Sequence, residues 1–280
     1  MKNKKIADGM PQAAWRPHLV ALDIDGTLVD REGRLPDSVR RSVRRVVDAG
    51  VPVVLTTGRS WHHTRPVCEA LELPTGPAVA SNGAVCVTFP PLELTKVVTF
   101  DPAAVIDRVL YEHPSAALAT EVIGKGFRVT KHFPEGDLSG AIEVVGVDEL
   151  AADPVTRIIV RDPESSDADF IALASRLGLH GVSYSVGWSA WLDIAPAGVN
   201  KATALADVAA SLGVAPDEVL ALGDGRNDIE MLSWAGRGVA LGDAPADVRV
   251  AADHVTGRFA EGGTAIELDR WFAGETAKVA

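Results

Sequence analysis

Leu19-Val20-Ala21-Leu22-Asp23-Ile24-Asp25-Gly26-Thr27-Leu28 is the stretch whose reading decides the fold. Its first four residues are apolar with no polar alternation, which reads as a strand buried on both faces, the kind found in parallel sheets. Asp23 and Asp25 follow two positions apart, so in an extended chain their side chains leave the same face. Two carboxylates aimed together at the end of a central strand repel each other and call for a bound cation or a shared proton. The plainer alternative is a strand that ends in a polar turn, because Asp and Gly are ordinary turn residues.

Working outward, the next segments repeat the pattern. Asp37 to Asp48 carries Val39, Val43, Val46 and Val47 at helical spacing, with Asp37 as its expected N-cap and Gly50 as its stop. Val51 to Leu55 reads as a second buried strand that runs into Thr56-Thr57-Gly58-Arg59-Ser60, and a helix is expected over Thr64 to Leu71. Ala78 to Ala80 is a short third strand ending in Ser81-Asn82-Gly83. Strand alternating with helix predicts an α/β fold, a Rossmann-like parallel sheet core. From about Ala84 to Trp191 strands become longer and more alternating, with candidates at Val97 to Phe100, Ala117 to Ile123, Gly126 to Phe133, Arg157 to Arg161 and Val182 to Val186. Helices are expected there over Pro102 to Tyr111 and Asp167 to Leu177, and a hairpin at Gly124-Lys125. The α/β pattern resumes at Asn200. The expected division is a mobile tail over 1–17, a core over 18–83 and 192–280, and an inserted α+β cap over 84–191.

Composition sets the class. A net charge of -11 argues against nucleic acid or an anionic membrane as partner. Cys68 and Cys86 show no metal-type spacing and no disulfide framework, which points to the cytosol. No segment reaches the ~20 apolar residues of a membrane span, and the basic start is not followed by a secretory-type apolar run.

The polar residues gather at expected strand ends. Ligands of open α/β sheets bind outside the carboxyl ends of the strands, so Asp23, Asp25, Thr57, Asp224 and Asp228 are expected to converge. Clustered carboxylates suit a hard dication, and Mg2+ fits oxygen ligands with retained waters. Lys201, opening a helix after Asn200, can reach the same rim, and Thr57 with the backbone of Gly58 suits an anion. Together these groups make sense around a bound phosphate.

This set resembles the haloacid dehalogenase superfamily, and within it the Cof-type phosphatases with a cap inserted after the third core strand. Asp23-Ile24-Asp25-Gly26-Thr27 is similar to the first motif of that family, Thr57-Gly58-Arg59 to the second, Asn200-Lys201 to the third, and Gly223 to Asp228 to the fourth. The resemblance extends from about Leu19 to Asp269, the cap matching only in position. It implies a phosphatase of a small phosphorylated metabolite, a sugar phosphate first, with Asp23 as nucleophile and Asp25 as proton donor and acceptor. It further implies that Thr57 and Lys201 bind the transferring phosphoryl group, and that Mg2+ is held by Asp23, the Asp25 carbonyl and Asp224, with Asp228 nearby and partly through water. A phosphomutase or phosphotransferase with the same chemistry is the alternative among enzymes; a catalytically idle metabolite-binding module is the alternative outside them.

Several residues keep two readings. Arg59 can touch substrate or pair at the surface, Asn82 can be a hinge residue or a substrate contact, and Asn227 can bond phosphate or its own loop. His62 and His63 read as surface residues, and Trp188 and Trp191 as packing rather than a sugar platform. Arg128, Lys131 and His132 can meet an anion or lie on an exposed strand face. Asp243 stands where relatives of that family commonly have Asn. A monomer or homodimer is expected.

Overall fold

The computed structural model describes residues 15–177, 182–187 and 191–273. In chain order the first elements are β1 (Leu19–Leu22), α1 (Asp37–Asp48), β2 (Val53–Leu55), α2 (Trp61–Ala70) and β3 (Gly76–Ala80). Next come β4 (Val85–Phe89), β5 (Glu93–Val97), α3 (Ala103–Glu112), β6 (Ala117–Val122), β7 (Gly126–Val129), β8 (Ala141–Val144), α4 (Val147–Leu150) and β9 (Ile158–Arg161). The chain continues through α5 (Asp167–Leu177), β10 (Val182–Gly187), β11 (Trp191–Pro196), α6 (Lys201–Ser211), β12 (Val219–Gly223) and α7 (Ile229–Trp234). It closes with β13 (Arg237–Ala240), α8 (Ala246–Ala251), β14 (His254–Val255) and α9 (Gly263–Phe272).

The apolar run that opens the chain forms the centre of a parallel sheet in the order β14-β13-β12-β1-β2. Both faces of β1 are buried, as its lack of alternation requires. Val20 and Leu22 pack with Val39, Val43 and Leu268 from the helices on one side, while Leu19 and Ala21 pack with Leu205, Val208 and Met231 from the other. Register then decides where the polar residues go. Leu22 lies beside Leu222 of β12 and Leu55 of β2, so the three strands end level and release their next residues on one rim. The third strand, β3, continues the sheet through a parallel bridge from Thr56 to Val79.

A second sheet, ordered β10-β11-β9-β6-β7-β8, is antiparallel except between β7 and β8. The expected hairpin is present: Lys125 N–H bonds the Val122 carbonyl at 2.9 Å, and Gly124 takes the left-handed φ of 72° that the turn needs. Alternation along the strands divides the sheet into two faces. Leu118, Ile158 and Val160 pack under α3 and α5, while Ala119, Phe127, Val129 and Ile159 face the other way.

Some details differ from the sequence expectation. No strand runs over Val97 to Phe100; β5 stops at Val97, and Phe100 makes a single bridge to Val155. β4 and β5 hydrogen-bond onto β3 rather than onto the second sheet, because the turn at Ser81 to Gly83 reverses the chain in place. Pro36, not Asp37, takes the N-cap position of α1, and α2 starts three residues early at Trp61. Trp15, expected in the tail, packs edge-on against Trp271 at 4.8 Å. Residues 1–14 of that tail and Trp188 lie outside the described residues.

β13 is tied to α9 by an ion pair: Arg237 Nε donates to Glu267 Oε1 at 2.7 Å, with both side chains almost inaccessible. Removing Arg237 leaves the buried Glu267 carboxylate with only the more exposed Arg270, at 3.2 Å, and the Trp271 N–H, at 3.0 Å, among the described residues. Arg237→Met is expected to cost about 3–5 kcal/mol in urea unfolding, and Arg237→Met with Glu267→Leu to recover most of it.

Candidate functional site

The level ends of β1, β2 and β12 put Asp23, Thr57 and Asp224 on the same rim, and α6 adds Lys201. Asn200 fixes the start of α6 by accepting the Thr203 N–H at 2.9 Å, which aims Lys201 inward. Lys201 is fully buried, and its ammonium donates to Asp23 Oδ1 and to Asp228 Oδ1, each at 2.6 Å. Burial works against its charge, but the carboxylates of Asp228 and Asp23 outweigh that and hold the ammonium above its usual pKa. The other oxygen of Asp228 accepts the N–H groups of Asp224 and Gly225 at 3.0 and 2.8 Å. Asp228 therefore shapes the loop after β12 and makes no cap bond to α7.

Oxygens of Asp23, Asp224 and Asp228 lie within 4.8 Å of one another. Burial pushes the Asp23 carboxyl well above its ordinary value, Lys201 opposes this, and the neighbouring Asp228, Asp224 and Asp25 add to it. Asp224 is pushed up to about 7, first by burial and then by Asp228. Three carboxylates face one ammonium here, and a hard dication fits this all-oxygen set. Asp228 has both oxygens engaged, whereas Asp224 is held only by a 3.5 Å bond from Thr27 Oγ1. Gly26 permits the close approach: its φ is 73°, and a side chain there would collide with the Asp224 carboxylate.

Asp25 does not join this cluster. Its side chain is exposed and held bidentately by Arg59, Nε to Oδ2 at 2.9 Å and Nη2 to Oδ1 at 2.6 Å. Arg59 is thus a partner of Asp25 at the mouth of the cleft. Thr57 is buried, and its Oγ1 accepts the Arg59 N–H at 3.1 Å.

Asn82 and Asn227 meet over Gly58, Asn227 Nδ2 donating to Asn82 Oδ1 at 2.9 Å. Asn82 Nδ2 in turn donates to Asp193 Oδ2 at 2.6 Å. Asp193 is clamped by Arg157, Nε to Oδ1 at 3.0 Å and Nη2 to Oδ2 at 2.6 Å, and Arg157 Nη1 reaches the Gly58 carbonyl at 2.6 Å. These bonds close a ring between two strands of the second sheet and the loops after β2 and β3. A second contact pairs Ser81 with Glu121 of β6. Arg157, Asp193 and Glu121 were not singled out from the sequence; the available signal was a charged residue within or at the end of an otherwise apolar strand.

Other expectations find their places. His62 is exposed, while His63 lines the cleft, its pKa lowered by burial and by Arg59. Trp191 also lines the cleft. Arg128 pairs with Glu143, and Lys131 donates to the Ser115 carbonyl at 3.0 Å; neither lines the cleft, and nor does the exposed His132. Asp243 accepts the Phe259 N–H at 3.0 Å. Among the described residues no helix is long and apolar enough to cross a membrane.

Burial raises the pKa of Glu121, against the pull of Arg157 and the Ser81 bond. Its unfolded form ionises first, so the stability that Glu121 contributes is complete below the unfolded value of about 4.5 and is lost as pH rises through the higher folded value. Glu121→Gln is therefore expected to gain in urea midpoint over the parent at pH 7.5, with the gain shrinking toward pH 4.5.

Comparison with known proteins supplies the rest. A family model described as haloacid dehalogenase-like hydrolase matches residues 20–268. The chain is 33% identical over 248 residues to a phosphoglycolate phosphatase of Natronomonas pharaonis, covering 87% of this chain and 93% of the relative. It is 29% identical over 253 residues to a 5-amino-6-(5-phospho-D-ribitylamino)uracil phosphatase of Bacillus subtilis, covering 90% and 95%. A solved phosphatase of the haloalkanoate enzyme superfamily from Bacteroides thetaiotaomicron superposes with a TM-score of 0.77 at 26% identity, over 95% of this chain and 99% of that one.

Proposed function

This chain belongs to the haloacid dehalogenase-like hydrolases of the Cof type and is a phosphoric monoester hydrolase, and we propose that it is a Mg2+-dependent phosphatase working through an aspartyl-phosphate at Asp23. One observation carries the reading: the buried Lys201 ammonium bridges Asp23 and Asp228 at 2.6 Å, with Asp224 against the same pair. A binding site alone has no need of a buried carboxylate whose second oxygen is left for chemistry.

In this reading Asp23 Oδ2 attacks phosphorus while Lys201 holds Oδ1, forming the aspartyl–phosphorus bond as the ester P–O bond breaks. Asp25 gives a proton to the leaving alcohol, then takes one from the water that hydrolyses the intermediate and frees Asp23. Both Asp25 oxygens accept from Arg59, so Asp25 has to part from Arg59 to reach the leaving oxygen when substrate enters. Arg59 is then free to pair with the phosphate. Thr57, the Gly58 loop and Lys201 position the phosphoryl oxygens. Asp23, the Asp25 carbonyl and Asp224 would hold Mg2+, with Asp228 contributing through water, and the ion supplies charge stabilisation at the transferring group.

The second sheet, part of the 84–191 insertion expected from the sequence, acts in this reading as the cap that excludes water and selects the substrate. The substrate is a small phosphorylated metabolite, with sugar phosphates as the starting class. Action in the cytosol as a monomer or homodimer completes the reading.

Asp23→Asn is expected to abolish release of inorganic phosphate from p-nitrophenyl phosphate while leaving the far-ultraviolet circular dichroism unchanged. Chelation by EDTA is expected to do the same reversibly, with Mg2+ restoring turnover. Full activity in either case refutes the mechanism.

A further inference from the structure

The cleft between the two sheets has a volume of about 600 Å3 and two unlike walls. On the core side stand Asp23, Asp25, Arg59, Asp224 and Asn227, the charged and amide groups that suit a phosphate. On the cap side stand Phe127, Ile159, Trp191 and Leu138, together with Asp137, Arg157 and Asp193. This apolar wall follows from the pleat of the cap sheet. One face is covered by α3 and α5; on the opposite face the buried Phe127 and Ile159 pack with the half-buried Phe133, Leu138 and Trp191, beside the charged Glu121, Arg157, Arg161 and Asp193. Trp191 is steadied edge-on against Phe133 at 6.3 Å, which fixes its ring.

The polar groups on this side are already committed. Arg157 and Asp193 hold each other, the Gly58 carbonyl and Asn82. Asp137 accepts from Arg161 Nε at 2.8 Å. A polyhydroxylated leaving group pressed against such a wall would give up water and find few hydrogen bonds in exchange. A planar ring loses little and gains contact with Trp191 and Leu138.

We propose that the leaving alcohol of the substrate carries a planar unsaturated ring that seats on Trp191 and Leu138 while its phosphate lies at Asp23. The proposal rests on the phosphatase reading above for the place of the phosphate. It sets ring-bearing phosphate esters ahead of sugar phosphates. Trp191 and Leu138 are then the residues that set specificity.

Two pairs of probes test it. Benzyl phosphate and glucose 6-phosphate are both esters of primary alcohols, and kcat/KM for the first is expected to exceed the second by about tenfold or more. Benzylphosphonate and methylphosphonate, which cannot be hydrolysed, report binding alone by calorimetry in the presence of Mg2+, and about the same preference is expected. In Trp191→Ala, and more weakly in Leu138→Ala, both ratios are expected to fall toward unity. Equal or better turnover of glucose 6-phosphate, or a ring preference that survives both substitutions, overturns the proposal. Tight benzylphosphonate binding without hydrolysis of any ester supports the ring wall and defeats the phosphatase reading instead. Hydrolysis of both esters with no ring preference defeats the ring wall alone.

Discussion

A fully buried ammonium, Lys201, sits between two carboxylates that would otherwise repel each other at the end of the central strand. Asp23 and Asp228 come from β1 and from the loop after β12, and Lys201 from the first turn of α6, so this one contact joins three parts of the chain. Taking such charges out of water costs several kcal/mol per ion, and removing one partner leaves the others exposed to that cost. The surrounding loops follow from it. Asp228 can hold the N–H groups of Asp224 and Gly225 because Lys201 keeps it in place, and Asp224 can approach Gly26 because no side chain stands there. Burial, and then the neighbouring carboxylates, raise the pKa values of Asp23 and Asp224.

A second constraint joins the two sheets. Ser81 and Asn82 both take left-handed φ values, 50° and 51°, which non-glycine residues adopt at some cost. Each is held by a buried acid from the cap sheet: Ser81 by Glu121, and Asn82 by Asp193. Arg157 then ties the same acid to the carbonyl of Gly58. The turn after β3 is thus stabilised by the second sheet, and the loop after β2 is tied to the same sheet.

The core was legible because its signals are local. An apolar run without alternation requires burial on both faces, and a carboxylate, glycine or hydroxyl directly after it marks a strand end; β2 follows the same logic, and α1 shows the helical spacing of its valines. Asp23, Asp224, Asp228 and Lys201 could be picked out for the same reason. The pairing of Asp25 with Arg59 was less legible, since a spacing of two fixes the face of an extended strand and the chain turns at Asp25. Arg157, Asp193 and Glu121 were missed because a charge in an apolar strand does not name its partner. Their partners lie far along the chain, as with Arg157 and Gly58, and only packing reveals them.

By itself the sequence determined the alternation of strands and helices, the buried central strand and the residue types released at its end, because these depend on side-chain polarity at short periods. Tertiary structure alone decided which of those residues touch. The level register of β1, β2 and β12 brings Asp23, Thr57 and Asp224 to one rim, and the two faces of the second sheet decide which of its apolar side chains line the cleft. Register and facing are set by packing between distant segments, whose contact free energies depend on shape and burial that no single stretch of chain contains.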